Sequence, residues 1–465
     1  MMERLNRFTD VVSRASARPG RMLLLLALVL ASAHFSGLAL RGYRARAVRG
    51  DAVHYYVYLR SLVFDADLNF ENDYVHLYGL DFPGRVPPPD FPWGFERTPT
   101  GLVRNYMAIG TPLFWAIPFL AVTAATSALA AAGLCPTPDG LALAFQVVPD
   151  ICGIAAAGLA LWFTLLLCRD VAKAHDALLA VFATLAGTSL LYYALVAPSY
   201  SHAVSAMAVS GFFLAWWRTR DVDTLGRYAW LGMLGGLAAL VRWQDAILLA
   251  TLALDAVLHA ARRDARLAHR AWHAGVRLLA AAAAAGAAFA PQFVVWNVVY
   301  GESLLIPQGD DFMRWAAPQL ADVLLSPFRG LFSWTPLAAL GAAGLVPLWR
   351  RNTRLAVALV LFLAGSTYVN ASVADWWAGE AFGARRFVSA FPVFALGLGV
   401  FMDDRRIRRP VLAIVALLVV CNLLLLFHYE LFMLGYRDIA PYPDSWYDLW
   451  VERFLVPLRV LGLLS

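Results

Sequence analysis

The sequence predicts an all-α integral membrane protein, and its composition is the first observation that supports this fold class. Hydrophobic residues make up 60% of the 465 residues and charged residues only 15%, with a mean hydropathy of +0.62. This composition excludes an ordinary soluble protein. At roughly 20 apolar residues per span, the chain has room for about ten to twelve membrane helices. No segment is polar enough for a separate soluble domain, so residues 1–465 are predicted to form a single transmembrane domain.

The distribution of arginine is the second observation, because basic residues in short loops mark the cytoplasmic side of a membrane. The basic clusters are Arg169 with Lys173, Arg218 with Arg220 and Arg227, the run from Arg262 to Arg277, Arg350 with Arg351 and Arg354, and Arg405 with Arg406, Arg408 and Arg409. If these clusters are cytoplasmic, the turns between them are extracytoplasmic. Those turns cover residues 199–202, 242–245, 300–315 and 375–386. Polar and aromatic residues that are suited to catalysis or binding therefore collect on one face.

The apolar runs between these turns predict about eleven membrane-spanning helices, with a cytoplasmic N-terminus. The predicted spans are residues 22–40, 141–168, 178–196, 203–217, 229–241, 246–261, 275–297, 331–348, 355–371, 387–402 and 410–430. Residues 431–465 are then an extracytoplasmic C-terminal tail. Ala31-Ser32-Ala33 resembles a signal-peptidase site, but the apolar run continues past it, which favours an uncleaved anchor.

Residues 107–133 are the exception within the predicted bundle of residues 107–430. Asp51 is predicted outside and Arg169 inside, so an odd number of spans must separate them. This run contains Pro112 and Pro118 and has no basic residue nearby. It is therefore predicted to dip into the membrane and return, or to lie along its surface, beside a cavity.

The segment 41–106 is the longest predicted extracytoplasmic loop. Apolar residues within 45–64 have the spacing of an amphipathic helix on the membrane surface. Residues 81–99 are rich in proline and glycine and are predicted to be irregular. The four cysteines lie in or beside apolar runs and are interpreted as small core residues.

Asp51 is a lone carboxylate placed just after the first helix. One interpretation is a helix N-cap, since it directly precedes the amphipathic stretch. The other is a general base, because an acid near lipid of low dielectric constant acquires the basicity this role needs. Further along, Asp65-Ala66-Asp67 matches an acidic metal-binding pair, but a helix-ending turn is the favoured interpretation.

Two residues in the later turns are candidates for binding an anion. His202 falls at the predicted outer start of a helix, where backbone N–H groups favour anions; a histidine that caps the helix is an equal alternative. Arg242 lies at the tip of a shallow hairpin, where an arginine needs an anionic partner. That partner is either a bound phosphate or Asp245, three residues away.

The strongest cluster lies in residues 375–386. Arg385 and Arg386 oppose the positive-inside trend, which indicates a specific anionic partner. Trp376 and Trp377 either stack on a sugar ring or belong to the aromatic belt at the membrane surface.

Several short motifs occur in order along the chain. They are Asp51 with His54-Tyr55-Tyr56; Asn72-Asp73-Tyr74; Gly110-Thr111-Pro112 with Pro118; Gly235-Gly236-Leu237-Ala238-Ala239-Leu240-Val241-Arg242; and Trp377, Gly379, Phe382, Gly383, Arg385 and Arg386. Together they resemble the GT-C superfamily of polyprenyl-phosphate-sugar-dependent glycosyltransferases, in particular bacterial relatives of the protein mannosyltransferases and aminoarabinose transferases. The chain departs from that family in two respects: it lacks a large C-terminal soluble domain, and it has His202 where many relatives place an acid. The second difference makes use of a metal less favoured.

The resemblance implies a membrane enzyme of cell-envelope glycan biosynthesis. It would move a monosaccharide from a polyprenyl-phosphate donor to an extracytoplasmic hydroxyl of a glycan, lipid or protein, with inversion. The expected location is the bacterial cytoplasmic membrane, with the active site facing the periplasm. The expected partners are the lipid-linked sugar, the acceptor and membrane lipids, without nucleic acid. The alternatives are a lipid-linked-sugar flippase or another transporter, which would spread ionisable residues through the membrane depth, and an acyl- or phosphoethanolamine-type transferase.

The predicted site residues fall into three groups. Asp51 is the catalytic base. The donor phosphate is bound by Arg385, Arg386, Arg242 and His202. The remaining substrate-binding residues are His54, Tyr55, Asp73, Tyr74, Tyr200, Asp245, Trp377 and Glu380. No cofactor is expected, and a divalent metal is not favoured.

Overall fold

The computed structural model describes residues 19–40, 47–79, 96–264, 266–379 and 381–464. In these ranges the chain is helical, with two isolated β-bridges and no strand. Eight helices of this described part are long and apolar enough to cross a membrane. The all-helical membrane fold predicted from composition is therefore confirmed.

The helices are numbered in chain order. They are α1 (Pro19–Leu40), α2 (Asp51–Arg60), α3 (Glu71–Gly79), α4 (Gly110–Ala131), α5 (Leu143–Cys168), α6 (Ala174–Ala186), α7 (Leu190–Leu195), α8 (Ser201–Arg218), α9 (Leu225–Val241), α10 (Leu248–Ala261), α11 (Leu267–Tyr300), α12 (Leu320–Leu325), α13 (Leu331–Trp334), α14 (Pro336–Ala343), α15 (Leu345–Arg351), α16 (Thr353–Ala371), α17 (Phe391–Asp403), α18 (Arg408–Met433) and α19 (Arg453–Val460). Turns of 3₁₀-helix precede α10 and α17, at Trp243–Ile247 and Arg385–Ala390, and a π-helical turn, Ser61–Asp65, follows α2.

The eight long apolar helices do not match the eleven predicted spans one for one. Seven of them coincide with predicted spans, and the eighth is α4. The predicted spans 203–217 and 229–241 form shorter or less apolar helices, α8 and α9. The predicted spans 178–196 and 331–348 are broken into the short helices α6–α7 and α13–α15. The total of eleven spans stays a prediction.

Helix α4 corrects the path predicted for residues 107–133. The helix is continuous through Pro118, so the chain does not dip in and return. Its first residue, Gly110, lies against the backbone of Leu240 at the end of α9, and Phe119 packs on Phe145 at the beginning of α5. These contacts hold the first half of the helix at the same end of the bundle as Asp51, while its length and composition are those of a membrane span; the second predicted form, a helix along the surface, stays a prediction.

Helix α2 was predicted to lie on the membrane surface, and this prediction is wrong. All residues from Ala52 to Arg60 are buried. Tyr55 packs on Trp115 and Tyr56 on Phe119, both in α4. The spacing of apolar residues describes only one face of a helix, whereas α4 and neighbouring elements also cover the other faces.

Small residues allow α9 and α11 to pack at close range. A Cβ atom on Gly232 would lie 2.2 Å from the carbonyl oxygen of Ala281, and one on Gly236 would lie 2.4 Å from that of Ala285. Two small residues spaced four apart are a common way to bring membrane helices together. This packing fixes the end of α9, where Arg242 begins the turn to α10.

The two ends of the bundle differ in their charged residues. At one end, Asp255 is fully buried and forms ion pairs with Arg227 and Arg354, both at 2.6 Å. Asp51 and Arg385 lie at the opposite end. Residues 434–464 fold back on α18, where the buried Arg453 donates a hydrogen bond to the carbonyl oxygen of Cys421.

Candidate active site

Asp51 is presented by the sharp turn that begins α2. Gly50 adopts φ +54°, a conformation suited to glycine, and a Cβ atom there would lie 2.1 Å from the Tyr200 hydroxyl. Gly50 is the N-cap residue, and no side chain caps the helix. The Asp51 carboxylate instead forms an ion pair with Arg385. The N-cap interpretation of Asp51 therefore does not hold.

Tyr200 supports Asp51 from the turn before α8. Its hydroxyl accepts a hydrogen bond from the Asp51 backbone N–H at 3.3 Å. Burial and the Asp51 charge together raise the pKa of Tyr200. The hydroxyl therefore stays protonated at neutral pH, in contact with Asp51.

Arg385 is held by a loop whose residues are anchored in the core. Phe382 is buried and stacks on Tyr192. Gly383 adopts φ +63°, and a Cβ atom there would lie 2.4 Å from Oγ of Ser189. The loop can therefore press against α7 only with glycine at this position, and Arg385 follows two residues later.

Arg386 points to a different carboxylate. Its guanidinium donates to Oδ1 and to the backbone oxygen of Asp375, both at 2.7 Å. Its own carbonyl oxygen accepts a hydrogen bond from Nε2 of Gln244 at 2.8 Å. This last bond ties the turn of residues 242–245 to the turn of residues 375–386.

Arg242 has neutral partners. Its guanidinium contacts Ser201 Oγ and His202 Nδ1, both at 3.1 Å, and Gln244 Oε1 at 3.3 Å. Among the described residues, no carboxylate forms an ion pair with it. The predicted alternative, an ion pair with Asp245, is absent from this part of the chain, because the Asp245 carboxylate is buried and accepts a hydrogen bond from Ser205 at 2.5 Å.

His202 and Tyr55 complete the group of side chains around Arg242 and Ser201. The His202 ring is buried, lies 4.2 Å from the ring of Tyr193 between centroids, and contacts Arg242. The Tyr55 hydroxyl donates to Ser201 Oγ at 2.8 Å. Burial raises the pKa of Tyr55, against the effect of the nearby Arg242. A single network therefore runs from α2 through Ser201 to Arg242.

His54 and Tyr74 lie behind Asp51 in the core. Both nitrogens of the His54 ring are 2.9 Å from tyrosine hydroxyls, those of Tyr74 and Tyr78. Burial lowers the pKa of His54 to about 4, although Asp51 acts in the opposite direction. The neutral imidazole thus braces α2 against α3, and both His54 and Tyr74 are buried.

Asp73 belongs to a separate buried group. It lies 3.3 Å from Arg60, which also pairs with Asp65. Arg60 is nine residues beyond Asp51 on α2, a distance of about 14 Å along the helix. Burial raises the pKa of Asp73 to about 7, partly offset by the Arg60 charge. The structure does not bring Asp73 to Asp51.

The segment Asp65-Ala66-Asp67 forms the turn that ends the π-helical extension of α2. Asp65 pairs with Arg60 and accepts a bond from Asn72 at 2.9 Å. Asp67 accepts a bond from Ser61 at 2.6 Å, and Ala66 has φ +59°. Within the described ranges, no three His, Cys, Asp or Glu side chains converge in a way that would hold a metal ion.

Trp377 lies half-buried at the edge of the site. Its ring meets Trp376 edge to face, with 5.8 Å between centroids, and also packs near Phe328. Glu380, which was predicted to bind substrate, lies outside the described residues.

An apolar cavity of about 460 Å³ opens beside the Arg242 turn. Its walls come from α9, α11, the start of α10 and the loop of residues 304–315. Trp243, Phe289, Phe293, Trp296, Leu305 and Trp315 are among its lining residues. This cavity is called the apolar groove below; its lining residue Trp243 directly follows Arg242 in the chain, whereas the three arginines themselves are not among its lining residues.

Sequence reasoning did not assign three residues of this network. Ser201 joins Tyr55 to Arg242, Gln244 joins two turns, and Asp375 pairs with Arg386. Each lies within a turn that was already predicted to face outward. Their position in these turns was therefore the signal by which they could have been found, although most of their partners are distant along the chain.

Comparisons with known proteins are sparse. No protein-family model and no curated protein matches the sequence. Seven chains of solved structures match. One is the archaeal oligosaccharyltransferase AglB from Archaeoglobus fulgidus, in complex with an inhibitory peptide and a dolichol-phosphate, with 15% sequence identity and a TM-score of 0.44. The match covers 95% of this chain and 54% of that chain, so the chain spans about half the length of the structure it matches.

Proposed function

We propose that the protein is a membrane glycosyltransferase of the GT-C kind, which moves a monosaccharide from a polyprenyl-phosphate donor to an acceptor hydroxyl with inversion. The observation that carries this proposal is which of the three arginines are paired with a carboxylate. Arg385 and Arg386 each pair with a carboxylate, whereas Arg242, next in the chain to the groove residue Trp243, has neutral partners. A cation at this position is suited to an anion that arrives with an apolar tail.

The donor phosphate would bind to Arg242 first. It would then compete with Asp51 for Arg385, because a guanidinium forms its strongest hydrogen bonds to charged oxygens. Once Arg385 turns to the phosphate, the Asp51 carboxylate is free to accept a proton. Donor binding would thus prepare the base at the moment it is needed.

The transfer itself forms one bond and breaks one. The acceptor oxygen attacks the anomeric carbon, its proton passes to Asp51, and the bond from the anomeric carbon to the phosphate oxygen breaks. The electron pair stays on the lipid phosphate. Arg242 and Arg385 would stabilise the charge that develops on this leaving group.

The apolar groove supports a lipid-linked donor rather than a soluble one. It is lined by aromatic and small aliphatic side chains, and one of them, Trp243, directly follows Arg242 in the chain. The polyprenyl tail would lie in this groove, with its phosphate at Arg242. The remaining predicted partner is the acceptor, a glycan, lipid or protein, approaching near Trp377.

The proposed setting is the bacterial cytoplasmic membrane, with the site on the extracytoplasmic side. The positive-inside rule supports this orientation, since Arg227, Arg354 and their neighbours lie at the opposite end of the bundle. No metal is required by the proposed reaction.

The test is sugar transfer by the purified protein in vesicles. A panel of radiolabelled monosaccharides on synthetic polyprenyl phosphate is supplied, and release of the sugar from the lipid is measured together with movement of the donor between leaflets. The proposal expects release with at least one donor, and loss of release in the Asp51→Asn variant. Movement between leaflets without release would instead identify a flippase.

A matched control separates chemistry from general damage. Glu71 is a partly exposed acid that pairs with Arg97, in the same segment between α1 and α4. The Glu71→Gln variant should release sugar at the wild-type rate.

A further inference from the structure

A buried pair of titratable residues lies beneath the site, and the proposed reaction does not use it. His34 of α1 and Asp150 of α5 are 5% and 1% exposed. Nε2 of His34 lies 3.1 Å from Oδ2 of Asp150, off the line of an ideal hydrogen bond. Ionisable groups inside a membrane domain are costly to bury and are commonly functional.

The other nitrogen of the imidazole reaches a backbone atom of a third element. Nδ1 of His34 lies 2.8 Å from the carbonyl oxygen of Leu195, which is the last residue of α7. Carbonyl groups in the last turn of a helix lack an N–H donor from within the helix. His34 therefore satisfies a carbonyl 161 residues away that the helix itself leaves open.

Asp150 limits the orientation of the His34 ring. The carbonyl oxygen of Leu195 can only accept a hydrogen bond, so the contact at 2.8 Å requires the ring hydrogen on Nδ1. Nε2 then faces the carboxyl group of Asp150, which lies 3.1 Å away and restricts rotation of the ring. The carboxyl group thereby keeps Nδ1 directed at Leu195.

The segment after Leu195 leads directly to the site. A Cβ atom on Gly153, in α5, would lie 1.8 Å from the carbonyl oxygen of Pro198, so α5 presses against this turn. Two residues later, Tyr200 contacts the backbone of Asp51. Movement of the Leu195 carbonyl would therefore be transmitted to Tyr200 and Asp51 over a short stretch of chain.

We propose that His34 and Asp150 are positioning residues, which hold the Leu195 carbonyl and so fix the turn that supports Asp51. This inference rests on the proposed function for its catalytic meaning, but the contact itself is tested without substrate. Loss of the Nδ1 donor should loosen residues 196–202, and loss of the carboxylate without a replacement donor should do the same.

The test is hydrogen exchange of the full-length protein in nanodiscs, followed by mass spectrometry. In His34→Ala and Asp150→Leu, amides of residues 196–202 should exchange at least about threefold faster than in the wild type. In His34→Asn the amide nitrogen replaces Nδ1, and in Asp150→Asn the new amide donates to Nε2, so both should keep the wild-type protection. Residues 219–224, at the opposite end, should be unchanged in every variant.

The conservative variants make the outcome decisive. Unchanged exchange of residues 196–202 in His34→Ala, or equal exchange in His34→Asn and His34→Ala, would overturn the inference. If His34→Ala does not fold, the comparison of Asp150→Leu with Asp150→Asn gives the same decision.

Sugar transfer provides the second readout. The turnover rate should fall in His34→Ala and recover in His34→Asn, with an unchanged KM for the donor. Absence of transfer by the wild-type protein would contradict the proposed function and leave the exchange result standing. Unchanged exchange in a protein that transfers sugar would contradict only the positioning role.

Discussion

Arg385 and Asp51 lie 334 residues apart in the sequence and form an ion pair at one end of the bundle. Both side chains are partly buried, at 15% and 29% exposure. The pair unites the predicted base with a predicted phosphate ligand. Its consequence is competition: an anion that binds Arg385 releases Asp51.

Arg242 is expected to contribute strongly to donor affinity, because the donor phosphate can bind it without displacing Asp51. The Arg242→Gln variant removes a charge-assisted interaction worth about 1.5–3 kcal/mol, which corresponds to roughly 10- to 150-fold weaker binding. Binding of a radiolabelled polyprenyl-phosphate sugar measures this directly. Arg97→Gln, which removes an exposed arginine, is the control. Equal affinity in Arg242→Gln and Arg97→Gln would exclude Arg242 as a phosphate ligand.

The apolar groove can be filled at one position without disturbing the helix packing. Gly286 lines the groove, and a Cβ atom there meets no other atom within 4 Å. Gly286→Leu should therefore raise the KM for a long-chain donor several-fold, with less effect on a short-chain donor. Gly275 lies in the same helix, is equally open and does not line the groove, so Gly275→Leu is the matched control. The same KM for both donors in both variants would rule out this location for the tail.

Gly50 and Tyr200 are expected to be coupled. Gly50→Ala places a Cβ atom 2.1 Å from the Tyr200 hydroxyl and strains a backbone with φ +54°, which should cost about 1–3 kcal/mol from the backbone alone. Removal of that hydroxyl in Gly50→Ala/Tyr200→Phe should restore part of the loss. Thermal unfolding in detergent measures both variants. A double variant less stable than Gly50→Ala would contradict the contact.

Asp73 should make stability depend on pH. Its folded-state pKa is raised to about 7 by burial, above the ordinary value of 3.8. Between these values the folded protein holds a proton that the unfolded chain has lost, so stability falls as the pH rises from about 4 to about 7. In the same range His54, with its pKa lowered to about 4, has the opposite effect. The difference between the wild type and Asp73→Asn therefore isolates Asp73.

The measurement is the melting temperature of both proteins at pH 5 and pH 8. The wild type should lose more stability than Asp73→Asn on going to pH 8. Parallel changes in the two proteins would show that Asp73 does not titrate in this range.

The sequence predicted the fold class and the gathering of polar turns because both depend on local properties. Hydropathy defines a span over about 20 residues, and arginine clusters mark one end of each span. Arg227 and Arg354 duly lie at one end, and Arg242 and Arg385 at the other.

The partners of the site residues could not be predicted, because they are set by tertiary packing. The periodicity around Tyr55 describes an amphipathic helix, but α4 also covers its other faces. Similarly, Asp245 is three residues from Arg242, yet its carboxylate bonds to Ser205 instead. Proximity in sequence favoured the wrong partner, since Arg242 contacts the first turn of α8 at Ser201, whereas Asp245 contacts Ser205 one turn further along the same helix.

The most direct test of the account is single-turnover sugar transfer by Asp51→Asn at saturating donor, with donor affinity measured on the same preparation. Loss of a general base should slow transfer by about 100- to 10,000-fold. Because Arg385 no longer has a competing carboxylate, the donor should bind at least as tightly as it does to the wild type. Transfer at a rate near that of the wild type would contradict the role of Asp51 as the base.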